Sequence, residues 1–210
     1  MFKHKFEDVI QKNTINSYIA KHGNKSGIAI VLDGADASTT KHLINATWDR
    51  SKIHVPNNSI DYHKIKQKIG GMCNVYPITL KTLLERLQTR RVAPNRFSSN
   101  SEVFGTPLIG LIYMDYMCTL TGNQSVNPIE DLETLFHNKM LLSNSTLAIT
   151  LSLRGHTKND TGFVNTPQKM ISIITSLAYE NGYNCVVEPI GGVYKNGGPM
   201  WTGIFTLIGD

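Results

Sequence analysis

The chain has 210 residues, 40% of them hydrophobic and 18% charged, with a formal net charge of +5 and a pI of about 9.1. Those values exclude a disordered chain and leave room for one core rather than two, so residues 1–210 are expected to form a single domain. The mildly basic balance suits a polyanionic partner without requiring one. The cysteines Cys73, Cys118 and Cys185 are scattered. No CxxC or Cys/His cluster has metal-ligand spacing, so no structural metal is expected, and an odd, dispersed set suits a reducing compartment. The first ten residues are charged and lack an apolar stretch, and no apolar run approaches membrane-spanning length. The expectation is a soluble protein, cytoplasmic or nuclear and not secreted. Local richness in Asn and Lys suits an AT-rich coding genome, viral or parasitic.

In chain order, Phe6 to Ala20 carries apolar residues near helical spacing, and His22-Gly23-Asn24 stops it; residues 1–24 read as a helical extension. Gly27 to Leu32 is an unbroken apolar run, as a central parallel strand requires. It ends at Asp33-Gly34-Ala35-Asp36, after which Ser38 is expected to cap a helix over Thr39–Ala46. A short strand, Ile53–Val55, ends at Pro56-Asn57-Asn58 and precedes a helix over Ser59–Ile69. Met72–Val75 is a weaker strand, and Ile78–Arg90 a helix with a leucine stripe. Residues 91–107, rich in Ser, Asn, Gly and Pro, form a long loop.

Leu108 to Met114 is the clearest strand, ending at Asp115-Tyr116. Asn127-Pro128-Ile129-Glu130 combines a capping amide, a first-turn proline and an acid, so a helix is expected from there to about Leu142. Thr146–Leu153 is a strand, and Thr166-Pro167 opens a helix to Glu180 that Asn181-Gly182 stops. Cys185–Val193 and Met200–Ile208 are two last strands joined by a hairpin turn. This order implies an α/β three-layer sandwich: a mostly parallel seven-stranded sheet, helices on both faces, and a C-terminal antiparallel hairpin. Ligands in such a sheet bind outside the carboxyl ends of the strands, so the residues just after each strand are the candidates.

This strand order and these strand-end residues resemble the class I S-adenosylmethionine-dependent methyltransferase fold over about Gly27–Gly209. The resemblance implies S-adenosylmethionine as cofactor. It places Asp33, Gly34 and Asp36 at the cofactor's amino-acid end, with Asp33 or Asp36 accepting from the ammonium group. It sets Asn57 where the family has an acid for the ribose hydroxyls, an amide being able to donate and accept there. Tyr76 falls where the adenine is contacted, and Asp115 and Tyr116 where nucleic-acid methylases accept from the target amine and stack on a flipped base. Only one glycine stands where the family has two or three, and the prolines between acid and aromatic are missing. Each of these residues also has a plain structural reading, as a strand-end turn, helix cap or core edge.

Arg90, Arg91 and Arg96, with Arg154 and His156 after the fifth strand, are the candidate contacts to a nucleic-acid substrate. Cations at helix ends and in a solvated loop are the alternative. No dinucleotide glycine fingerprint and no phosphate-binding P-loop is present. The function expected is methyl transfer to an oxygen or nitrogen nucleophile, with nucleic acid as acceptor. The alternatives are a catalytically silent module of the same fold and another nucleotide-binding α/β enzyme.

Overall fold

A computed structural model describes residues 8–92, 108–120, 126–154, 162–195 and 198–209. The chain opens with α1 (Asp8–His22) and enters the sheet at β1 (Ile28–Val31), followed by α2 (Ser38–Asn45) and β2 (Ile53–Pro56). Next come α3 (Tyr62–Ile69), β3 (Asn74–Tyr76), α4 (Leu80–Val92) and β4 (Ile109–Asp115). After α5 (Pro128–His137), β5 (Leu141–Ser152) and α6 (Gly162–Glu180), the chain ends in β6 (Tyr183–Val187), β7 (Gly192–Lys195) and β8 (Pro199–Gly209).

The strands form one sheet in the order β3-β2-β1-β4-β5-β8-β6, with β7 also paired to β8. β1 to β5 are parallel, whereas β8 runs antiparallel to β5 and to both β6 and β7. Alternation along the strands sorts the apolar residues into two cores. Ile28 and Ile30 of β1 face Leu84 of α4, Leu135 of α5 and Met170 of α6. Ala29 and Val31 face Ile15 and Ile19 of α1, Leu43 of α2 and Ile65 of α3. Helices therefore cover both faces, which is why the central strands read as continuous apolar runs.

Three expectations change. The run Cys185–Val193 is two strands, giving eight in all, because Pro189 cannot donate to the ladder and Pro189–Gly191 break from it. α5 ends at His137 rather than near Leu142: Lys139 takes a left-handed backbone (φ 47°), which stops the helix and lets Leu141 start β5. α6 begins at Gly162, upstream of Thr166-Pro167, with Pro167 held inside it. Pro167 is the sixth residue of the helix, so it withholds the one main-chain bond that would run back to Phe163.

The chain reverses direction along the sheet between β1 and β4: β2 and β3 lie on one side, β5 and the antiparallel strands on the other. That switch point leaves a crevice at the carboxyl ends of β1 and β4, as open α/β sheets do.

Candidate functional site

Asp33 lies just past the end of β1, and the start of α2 beyond it differs from the expected cap. Ser38 is the first residue of α2, and the cap position belongs to Ala37, which has a left-handed backbone (φ 50°) and gives no side-chain bond. Asp33 performs the capping from across the turn. Its Oδ1 accepts from the Thr39 N–H at 3.1 Å and its Oδ2 from the Thr40 N–H at 2.7 Å. Both are first-turn donors with no partner inside the helix, so a carboxylate there is stabilised by them and by the helix dipole. Asp33 is only 6% exposed. Burial raises its carboxyl above the ordinary aspartate value, the Thr39 and Thr40 donors pull it down, and Asp115 pushes it up further.

Asp115 ends β4, the strand adjacent to β1. Its Oδ2 accepts from the Lys12 ammonium of α1 at 2.6 Å, with the Asp115 side chain 7% exposed. Its Oδ1 is buried without a hydrogen-bond donor. Burial depresses the Lys12 ammonium, but attraction and hydrogen bonding to Asp115, with smaller help from Tyr194 and Asp33, leave it above the ordinary lysine value. Asn57, after β2, donates its Nδ2–H to the Asp33 carbonyl at 3.1 Å, and its Oδ1 accepts from the Ser59 N–H and hydroxyl. Asn57 thereby ties the end of β2 to the end of β1.

The opposite wall comes from α4 and α5. Asn127 caps α5 as expected, accepting from the N–H groups of Ile129 and Glu130. That places Glu130 and Asp131 in the first turn, over the crevice. Lys81 of α4 reaches Glu130 at 3.0 Å across the rim. The Tyr116 hydroxyl donates to the Asp131 carboxylate. Burial raises the Tyr116 hydroxyl well above its ordinary value and raises the Asp131 carboxyl too, although the bond from Tyr116 lowers the latter.

Between these walls lies a cleft of about 760 Å³, large enough for a nucleoside-sized ligand. Its described lining carries five carboxylates (Asp33, Asp61, Asp115, Glu130 and Asp131) against two ammonium groups, Lys12 and Lys81. A chain with a net charge of +5 thus has an acidic cleft at its switch point. Among the described residues no cluster has metal-binding composition.

Of the residues singled out from the sequence, Asp33, Gly34, Asn57, Asp115 and Tyr116 line this cleft. Asp36 does not: its side chain is 95% exposed and lies 3.5 Å from Lys68. Tyr76 stands beside the cleft rather than in its wall, its ring stacked on His54 and its hydroxyl 2.9 Å from His54 Nδ1. Tyr116 is only 5% exposed and bonded to Asp131, so it presents no free ring face for stacking. Arg90 and Arg91 fall in the last turn of α4, about 14 Å along the helix from Lys81 at its cleft end. Arg154, exposed after β5, lies by Gly198 and outside the cleft wall. Arg96 and His156 lie outside the described residues. Sequence reasoning missed Lys12, Lys81, Glu130 and Asp131. The Asn127-Pro128 cap carried the signal for Glu130 and Asp131, since it puts them in a first turn, whereas Lys12 has no local signature.

No family model matches the chain, and no curated protein does. Solved structures do, and they define the class: the chain has the class I methyltransferase fold. A candidate rRNA methylase of Clostridium thermocellum is similar over 98% of this chain and all of its own length, with a TM-score of 0.57 at 6% identity. A precorrin-6y C5,15-methyltransferase of Geobacter metallireducens is similar over 98% of this chain and 94% of its own, with a TM-score of 0.51 at 10% identity. The plantazolicin methyltransferase BpumL, solved with S-adenosylhomocysteine, is similar over 96% and 83%, with a TM-score of 0.53 at 13% identity. At 6% to 13% identity, the likeness to these three structures is one of fold.

Proposed function

We propose that this protein is an S-adenosylmethionine-dependent methyltransferase that binds its cofactor in the acidic cleft and methylates a nitrogen or oxygen nucleophile on nucleic acid. The observation that carries the reading is the charge of the cleft. A ligand held between Asp33, Asp115 and Asp131 is favoured if it is cationic and disfavoured if it carries phosphate, which argues against a nucleotide- or sugar-phosphate enzyme. The cofactor bears an ammonium and a sulfonium and supplies an electrophilic methyl group. Several proteins that share this fold are methyltransferases, which supports the same reading. The nucleic-acid acceptor rests on the net charge of +5 and on the likeness to the candidate rRNA methylase.

Each wall has a role in this reading. The Asp33–Gly34 turn receives the amino-acid end: a side-chain carbon added at Gly34 would meet nothing within 4 Å, so the glycine leaves that space open. Asn57 and Ser59 face the sugar hydroxyls. Ile78 and Leu80, rather than Tyr76, supply the apolar wall for the base. Asp115 accepts a hydrogen from the acceptor and orients its lone pair for in-line attack, and positioning of that kind supplies most of what methyl transfer requires. Tyr116 acts through Asp131, fixing the carboxylate of the opposite wall. The second reading, a silent binding module, is favoured by one observation: the Asn57 carboxamide oxygen is already committed to Ser59.

Calorimetric titration with S-adenosylmethionine and S-adenosylhomocysteine tests the proposal. Saturable binding to both is expected. Gly34→Val, which fills the open space at a position without left-handed backbone, is expected to abolish binding while leaving the urea midpoint unchanged. A folded wild-type chain that binds neither ligand sinks the enzyme reading and leaves the module.

A further inference from the structure

α1 precedes the sheet and read from the sequence as an extension. In the structure it lies across the switch point and delivers two polar side chains to it. Lys12 and Asn16 are four residues apart and so share a helix face. Lys12 meets Asp115 at 2.6 Å. Asn16, fully buried, donates its Nδ2–H to the Ser38 hydroxyl at 3.2 Å and accepts from the Thr39 hydroxyl at 3.2 Å. Thr39 is the residue whose N–H holds Asp33. One face of α1 therefore touches both acids of the switch point, one directly and the other through the turn it caps. We propose that Lys12 and Asn16 are positioning residues that hold Asp115 and the Asp33-capped turn in place, so that the cleft is incomplete without α1.

The reason is electrostatic. Asp33 and Asp115 are both buried, and the groups facing Asp115 are Lys12 from α1, Asp33 from the end of β1, Tyr194 from β7 and Tyr113 from β4 itself. Lys12 is the cation among them. One Asp115 oxygen is committed to Lys12 and the other has no donor, so loss of Lys12 leaves a buried carboxylate with no partner in the field of a second one. Removing one member of a buried pair costs far more than an exposed pair contributes. The carboxylate then leaves its position, which removes the acceptor from the cleft wall. The further apolar anchors of α1, Ile15 and Ile19, keep the helix docked in both circumstances.

The inference rests on the methyltransferase reading only for the identity of the probe ligand. Full-length wild type, Lys12→Met, Lys12→Arg and the double variant Lys12→Met/Asp115→Asn are compared by urea unfolding and by calorimetry with S-adenosylhomocysteine. Lys12→Met is expected to lower the urea midpoint clearly, because it leaves a buried carboxylate without its cation. Lys12→Arg keeps most of the wild-type stability, and the double variant recovers most of the loss. The affinity of Lys12→Met for S-adenosylhomocysteine falls at least about tenfold, and that of Lys12→Arg by no more than about threefold. A deficit not relieved by Asp115→Asn overturns the inference, because a lysine that merely fills space behaves so. So does a Lys12→Met variant that binds the probe as tightly as wild type. If Lys12→Met does not fold, the double variant must; its failure also counts against the proposal. A wild type that binds no probe defeats the methyltransferase reading alone, and the urea arm still decides whether Lys12 holds Asp115.

Discussion

Two of the helices that begin at the rim of the cleft, α2 and α5, are capped in opposite ways. α5 is capped by the residue that precedes it: Asn127 accepts from Ile129 and Glu130, with Pro128 in the first turn. α2 is capped by Asp33, six positions before Thr39, across a turn in which Ala37 takes a left-handed backbone. The first cap is half-buried and local, whereas the second is buried and joins a strand end to a helix start. The difference shows how the cleft is built. A local amide is enough to start a helix, whereas a carboxylate placed by the sheet holds the turn against the cleft and puts its charge there.

The largest expected effect breaks the α2 cap. Asp33→Ala leaves two buried N–H groups without an acceptor, at roughly 1–3 kcal/mol each. Urea unfolding should show a loss of several kcal/mol, and cofactor binding should vanish with it. Asp33→Asn sharpens the point through pH. Burial raises the Asp33 carboxyl, so the folded chain binds this proton more tightly than the unfolded chain. That stabilising contribution is complete below the ordinary aspartate value and is lost as pH rises through the raised folded value. Asp33→Asn should flatten the fall in stability over that window, leaving the share from Asp131, whose carboxyl is raised in the same direction. An unchanged slope would show that Asp33 does not titrate there.

Asn127→Ala should cost less, about 1 kcal/mol, the usual cost of losing a helix cap. Chemical denaturation measures it, and ligand binding should be little changed. The smallest effect is expected at Ala37→Gly. Relief of the left-handed backbone is worth about 1–2 kcal/mol, and loss of a buried methyl group offsets about 0.8 kcal/mol of it. A gain below about 1 kcal/mol in the urea series is the outcome, and a clear loss would mean that the methyl group matters more than the backbone does.

Much of this fold was legible in the chain. The apolar runs of β1 and β4, the leucine stripe of α4 and the Asn127-Pro128 start of α5 depend on periodicity and on contacts a few residues apart. Strand ends could be placed, and with them Asp33, Gly34, Asn57 and Asp115 on the cleft wall. What was not legible involves residues distant in sequence. Asp33 and Asp36 are both aspartates of the same turn, yet only Asp33 is turned inward, because the left-handed Ala37 brings α2's first donors back over it. Tyr116 reads as an aromatic free to stack, until α5 brings Asp131 to its hydroxyl. Ser38 reads as a cap, until the turn places it one residue inside the helix.

By itself the amino-acid sequence determined the alternation of strands and helices, their order and the edge of the sheet where the cleft opens. Those follow from side-chain periodicity and from turn chemistry, which act over a few residues. Only the tertiary structure decided that the cleft is acidic, that Asp33 caps a helix while facing it, and that Lys12 closes an ion pair with a residue 103 positions away. Burial and Coulomb interaction depend on distance in space, and the sheet sets that distance only once all its strands are in register.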